Sequence, residues 1–203
     1  MRQTILEACS AEIDKQKGSR FIAYARPCTS VNLAELWTRE LWSSHPDARH
    51  VCWAFRGDHI DRIRYVDDGE PTGTAGKPIL TIIEGRGLEQ IAVAVVRYFG
   101  GVKLGTGGLV RAYSSAAQAV LEDAELKVLR PLVDLEFTLD YHHERWLSHQ
   151  LSAINAELKN QTFSEQVTIE LTLLEEQVDS LINQLVEKTA GRALITRGSL
   201  YWG

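Results

Sequence analysis

Apolar positions change period along this chain, and each change marks an element. Val133, Leu135, Phe137, Leu139 and Tyr141 alternate with other residues, as do Val167, Ile169, Leu171 and Leu173; period two predicts strands buried on one face. Ile91 to Val96 is a continuous apolar run, as expected of a central strand covered on both faces. Leu109, Ala112, Tyr113, Ala116, Ala117, Val120, Leu121 and Ala124 keep an i, i+3, i+4 spacing, which predicts a helix of about four turns beginning near Gly108. Leu33, Leu36, Trp37, Glu40 and Leu41 repeat that spacing until Pro46 stops it.

The remaining elements of the first half follow from composition and turn signals. Glu7 to Lys15, Ser19 to Ala25, His50 to Phe55 and Ile60 to Val66 read as strands, the last two joined by a turn around Gly57-Asp58. Pro78 suits the start of a short helix through Ile79, Leu80, Ile82 and Ile83. A boundary falls at Arg130-Pro131, dividing the chain into residues 1–130 and 131–203. Beyond it, helical spacing at Leu147, Leu151 and Ile154 and at Val178, Leu181, Ile182, Leu185 and Val186 interleaves with strands. These are the two alternating strands above, Leu158 to Phe163, and Ala193 to Tyr201. The resulting order, β-α-β-β-α-β, is that of a ferredoxin-like unit.

Charge separates the halves. Residues 1–130 carry 17 Lys+Arg against 16 Asp+Glu, whereas residues 131–203 carry 5 against 11. An acidic surface repels nucleic acid, so the first half is the one expected to meet an anionic partner. No apolar run approaches the roughly 18 residues of a membrane span, and Met1 to Ile5 lacks the apolar stretch of a signal peptide. The expected location is cytoplasmic, with no membrane partner. Cys9, Cys28 and Cys52 are odd in number, lack Cys-x-x-Cys spacing and sit in apolar or strand-like contexts, so buried free thiols are expected. Zinc on Cys52, His50 and His45 would lack a complete ligand set.

Chemistry concentrates in two glycine-rich segments, Asp67 to Pro78 and Arg97 to Gly108, which hold eight of the 15 glycines. In the first, Asp67, Asp68 and Glu70 lie within four residues, beside Thr72, Thr74 and Lys77. Such carboxylates hold Mg²⁺, accept a proton or face water in a turn, and these alternatives stay open. In the second, Gly100, Gly101, Gly105, Thr106, Gly107 and Gly108 leave backbone unshielded among Arg97, Lys103 and Arg111. Strand, glycine loop and helix N-terminus in succession form an anion-binding arrangement; the alternative is that the glycines only permit a tight crossover.

Generic motifs do not assign the chemistry. No Gly-Lys-Ser/Thr follows the second segment, so it is not a Walker loop, and its glycines miss the Gly-x-Gly-x-x-Gly spacing. Ser114-Ser115 has no recognisable His or Lys base at a nucleophile's spacing, which argues against a serine hydrolase. His45-Pro46-Asp47 reads as a helix stop and turn rather than a catalytic pair, while Arg49 and His50 remain candidates for a polar face. Nothing implies a cofactor.

Lys17 to Ile22, His45 to His50, Asp67 to Pro78 and Val95 to Tyr113 closely resemble, in order and spacing, the bacterial, YigZ-like members of the IMPACT family. The resemblance spans essentially residues 1–125. It implies an α+β protein of two domains, the first like the second domain of ribosomal protein S5, the second ferredoxin-like and similar to the last domain of the translocation elongation factor. Eukaryotic relatives regulate translation initiation with the help of an additional N-terminal RWD domain, which this chain lacks.

The resemblance therefore implies a non-enzymatic regulator of translation that binds RNA, the ribosome or a translation or stress-response protein. Arg20, Arg49, Lys77, Arg97, Lys103 and Arg111, around the glycine loops of Gly100, Gly101, Thr106, Gly107 and Gly108, would be presented to RNA phosphates. Two alternatives remain: a phosphate- or nucleotide-binding enzyme on an S5-type fold, and a protein-interaction adaptor using the acidic half. The sequence leaves the oligomeric state open.

Overall fold

A computed structural model of the chain describes residues 1–59 and 62–203. They fall into two compact units, Met1–Val128 and Leu129–Gly203. Ile60 and Asp61, the first two residues of the expected strand Ile60 to Val66, lie outside the described residues.

The first unit is built on a five-stranded antiparallel sheet ordered β2-β3-β6-β4-β5. Its strands are β2 (Cys9–Gln16), β3 (Ser19–Pro27), β4 (His50–Arg56), β5 (Ile63–Val66) and β6 (Ile91–Tyr98). The apolar run Ile91 to Val96 occupies the central strand, fully buried as its composition predicts. Alternate residues of β6 meet different layers. Val93 and Val95 face α2 (Gly76–Gly85) and α3 (Thr106–Glu122), whereas Ala92, Ala94 and Val96 face the side of α1 (Val31–Ser44). Ser30 caps α1 by accepting a hydrogen bond from the Leu33 amide.

Two short strands had no sequence signal. β1 (Gln3–Ile5) pairs antiparallel with β7 (Leu126–Val128), closing the two ends of the first unit on each other. Three residues are too few to display a period, so only the pairing reveals them.

The second unit has the order β8 (Pro131–Leu139), α4 (Tyr141–Ala153), β9 (Glu157–Phe163), β10 (Val167–Leu174), α5 (Glu175–Thr189) and β11 (Leu194–Trp202). Its sheet runs β11-β8-β10-β9, antiparallel throughout, which is the ferredoxin-like topology. Val133, Leu135, Phe137 and Leu139 form one core with Leu147 and Leu151 of α4 and Val178, Leu181 and Leu185 of α5. Burying a side chain such as Phe137 completely stabilises the fold by about 1.5–3 kcal/mol. Tyr141 does not extend β8 as its spacing suggested; it begins α4, and its hydroxyl donates to the Ser164 carbonyl.

Candidate functional site

The register of three strands sets one end of the first unit. Phe21 of β3 and His50 of β4 both pair with Arg97 of β6, so the three side chains form a row on the α2/α3 face. Beyond Tyr98 the chain turns through Phe99 to Gly105 and enters α3. A cleft of about 580 Å³ lies there, lined by Arg49, His50, Glu70, Pro71, Arg97, Phe99, Lys103, Leu104, Gly105, Thr106 and Leu109.

Arg97 and Glu70 are its most buried charges, with side chains 6% and 4% exposed. One oxygen of Glu70 accepts from Arg97 Nη1 at 2.5 Å and from the Tyr113 hydroxyl at 2.8 Å. Arg97 Nη2 reaches Ser19 Oγ at 3.5 Å, but its Nε is buried with no hydrogen-bond partner among the described residues. The Cys52 thiol lies behind this pair, 2.9 Å from the Asp67 carbonyl and 3.3 Å from the Tyr113 hydroxyl. Burial pushes both the Cys52 thiol and the Tyr113 phenol upward, so both stay protonated at neutral pH.

His50 is half-buried at the wall. Its Nδ1 lies 2.7 Å from the Asp68 carbonyl, which accepts only, so Nδ1 carries the proton. Its Nε2 lies 3.8 Å from Glu70 Oε1, beyond hydrogen-bond length.

The N-terminus of α3 closes the cleft. Gly105 takes φ +74, a left-handed conformation that favours glycine, and no side chain caps the helix. The first amides of an α-helix have no intrahelical partner, so those of Thr106, Gly107 and Gly108 form a partial positive charge at the cleft edge.

The three clustered carboxylates do not act together. Asp67 accepts from the amides of Gly73 at 2.7 Å, Ala75 at 3.0 Å and Gly76 at 2.8 Å, capping α2 across the loop. This cap explains why α2 begins at Gly76, two residues before Pro78. Asp68 accepts from the Val51 amide at 2.7 Å, and Glu70 serves Arg97 and Tyr113. Among the described residues no group of three His, Cys, Asp or Glu side chains is placed to hold a metal ion, and each of these three carboxylates has protein donors of its own. The zinc alternative fails, because His45 lies between the hydroxyls of Tyr24 and Tyr98 rather than beside Cys52.

The proposed phosphate-binding residues also separate. Arg49, Arg97, Lys103 and Thr106 line the cleft, and Gly107 and Gly108 belong to the first turn of α3. Arg20 does not join them: it pairs with Glu12 at 2.8 Å and lies over the Tyr98 ring, on the α1 face. Lys77 on α2 and Arg111 on α3 are exposed and outside the lining. Gly100 and Gly101 are likewise outside it. A Cβ on Gly100 would stand 1.9 Å from the Gly18 carbonyl carbon, so this glycine exists for close backbone packing.

Sequence reasoning left Ser19, Tyr113, Phe99 and Leu104 unassigned. Ser19 is fully buried and accepts from the Gly100 amide, tying the β2–β3 turn to the second glycine-rich segment. Tyr113 occupied an apolar helical position and gave no hint of its hydroxyl's partner. His50 offered the one usable signal, since it opens the strand before a central apolar run and shares its period-two face with Cys52. Cys28 and Cys52 are buried free thiols; Cys9 is only half-buried.

An α+β protein of two units, the first carrying a cleft lined by Arg49, Arg97 and Lys103, is the class these features define. Family comparison agrees: residues 17–121 match the Impact N-terminal domain and residues 137–192 a domain of unknown function, DUF1949. An IMPACT family member of Haemophilus influenzae is 38% identical over 184 residues, covering 88% of either chain. The IMPACT family member YigZ of Escherichia coli is 33% identical over 191 residues, covering 93% of this chain and 90% of its own. A crystal structure of a hypothetical protein superposes with a TM-score of 0.73 at 30% identity, covering 95% of both chains. The chain belongs to the IMPACT family. Its first domain is S5 domain 2-like and its second ferredoxin-like.

Proposed function

We propose that this protein is a non-enzymatic, translation-associated regulator whose first unit binds RNA through phosphate held in the cleft. Membership of the IMPACT family supplies the general frame, a translation-related regulatory protein. The observation that carries the finer reading is the convergence of Arg97, Arg49, Lys103 and the uncapped N-terminus of α3 on one concavity. Donors and positive charge at a helix start suit phosphate oxygens, and exposed Phe99 offers a ring on which a base stacks.

RNA binding to the full chain, followed by fluorescence anisotropy across a salt series, tests the reading. Affinity falls as salt rises, because phosphate contacts release counterions. Arg49→Ala with Lys103→Ala weakens binding while leaving the melting temperature close to that of the unaltered protein, since both residues are exposed. Absence of binding at low salt, or binding indifferent to the two substitutions, overturns it.

One observation favours a second reading, a phosphate- or nucleotide-handling enzyme: an imidazole, that of His50, stands in the same cleft as Arg49, Arg97 and Lys103. Nucleotide-dependent thermal stabilisation with turnover lost in His50→Gln supports it; no shift with any nucleotide counts against it.

A further inference from the structure

We infer that the cleft takes the terminal phosphate monoester of an RNA chain rather than an internal stretch of its backbone. This rests on the RNA reading above and specifies which part of the RNA is held.

The first ground is the distribution of cations. A protein that follows a nucleic-acid backbone needs positive groups along a track. Here the six basic residues named for the site do not form one: Arg49, Arg97 and Lys103 share the cleft, Arg111 reaches back to the first turn of α3 with its Nη1 3.7 Å from a Cβ position on Gly107, Arg20 is bonded to Glu12 on the other face of the sheet, and Lys77 lies outside the lining.

The second is the match of charge and donors to the end of a chain. A diester linkage carries one negative charge on two non-bridging oxygens, whereas a terminal monoester carries up to two charges on three oxygens. With Glu70 set against Arg97, the charges of Arg49 and Lys103 remain for a ligand. The amides at the start of α3 add donors, and His50 Nε2 becomes one more when protonated.

A third and independent ground is Arg97 itself. It is 5% exposed, lines the cleft, and keeps its Nε buried without a hydrogen-bond partner among the described residues. That nitrogen is closed to the cleft, so a ligand meets Arg97 through the positive field of a guanidinium held in a poorly hydrated wall rather than through its Nε. The apolar wall of Pro71, Phe99, Leu104 and Leu109 then accommodates the sugar and base of the terminal nucleotide.

The test uses the full chain and one short RNA sequence prepared with a 5′-phosphate, with a 3′-phosphate, or with hydroxyl ends, compared by anisotropy at several salt concentrations. One phosphorylated form binds about tenfold or more tightly than the hydroxyl-ended form, and Lys103→Ala removes that preference. The slope of log affinity against log salt is about −1 to −2, against about −4 for six contacted phosphates on a single strand. Equal binding of all three forms with a steep slope overturns the end-specific assignment and leaves the RNA reading standing. No binding of any form at low salt overturns both. Full displacement of the phosphorylated RNA by equimolar AMP also overturns the assignment, making a free mononucleotide the ligand.

Discussion

Glu70 holds Arg97 in place with a single carboxylate oxygen, which also accepts from Tyr113, and both charged side chains are withdrawn from water. The pair is a support for the cleft as much as part of it. Removing one member leaves the other charge buried and uncompensated, which typically costs about 3–5 kcal/mol.

Glu70→Gln keeps the shape and removes the charge, so it is expected to destabilise the first unit by several kcal/mol in urea unfolding. Combining it with Arg97→Met recovers part of the loss, because no buried charge then remains. A double variant as unstable as Glu70→Gln alone would contradict this account.

Asp67 is expected to be a stability residue. Asp67→Ala strips three amide bonds from the loop and the start of α2, each to a charged acceptor worth about 1.5–3 kcal/mol when intact. A stability loss of about 3 kcal/mol or more is expected on chemical denaturation. Lys77→Ala, on the exposed side of the same helix, changes stability by no more than about 0.5 kcal/mol.

Neighbouring glycines separate close packing from conformational strain. Gly100→Ala drives a Cβ into the backbone of Gly18 and Ser19 and is expected to cost more than about 3 kcal/mol, or to prevent folding. Gly101→Ala meets nothing within 4 Å and only strains a residue at φ +87, at a cost of about 1–2 kcal/mol. Thermal melts of the two variants give the comparison.

His143 makes the second unit sensitive to acid. It is 6% exposed, its Nε2 has no hydrogen-bond partner among the described residues, and its ring centroid is 3.7 Å from that of His142. Burial first, then the positive charges of His142, Arg192 and Lys188, push its pKa below the ordinary histidine value of 6.5, against a smaller upward pull from Asp140. The unfolded chain thus binds the proton more tightly than the folded one. Stability is fully present above pH 6.5 and falls as the pH drops from there through the lowered folded value. His143→Leu flattens this acid limb in unfolding free energies measured from pH 7.5 to 5; an unchanged slope would count against it.

Thiol chemistry should divide the cysteines. Burial raises the thiol pKa at Cys9, Cys28 and Cys52 alike, and Cys52 is the most shifted. At pH 8 a thiol-specific disulfide reagent is expected to modify half-buried Cys9 first, and Cys28 and Cys52 only after unfolding. Cys52 reacting in the native protein would mean that the Tyr113 side of the network opens.

Much of this architecture was legible in local pattern. The period-two runs at Val133 and Val167, the helical run from Leu109 and the apolar run at Ile91 specify the elements, since periodicity depends only on which side of one segment is buried. Residues of both glycine-rich segments line the candidate cleft, with Arg97 at a strand end and Gly105 at a helix start. Tertiary structure decided which of their residues meet. Phe21, His50 and Arg97 share a row because the register of β3, β6 and β4 aligns them, whereas Arg20, one position along, falls on the opposite face with Tyr98. Asp67 could be assigned to the amides of α2, and Glu70 to Arg97, only once the loop had folded back. Register, face and loop closure couple residues distant in sequence, and no window along the chain contains them together.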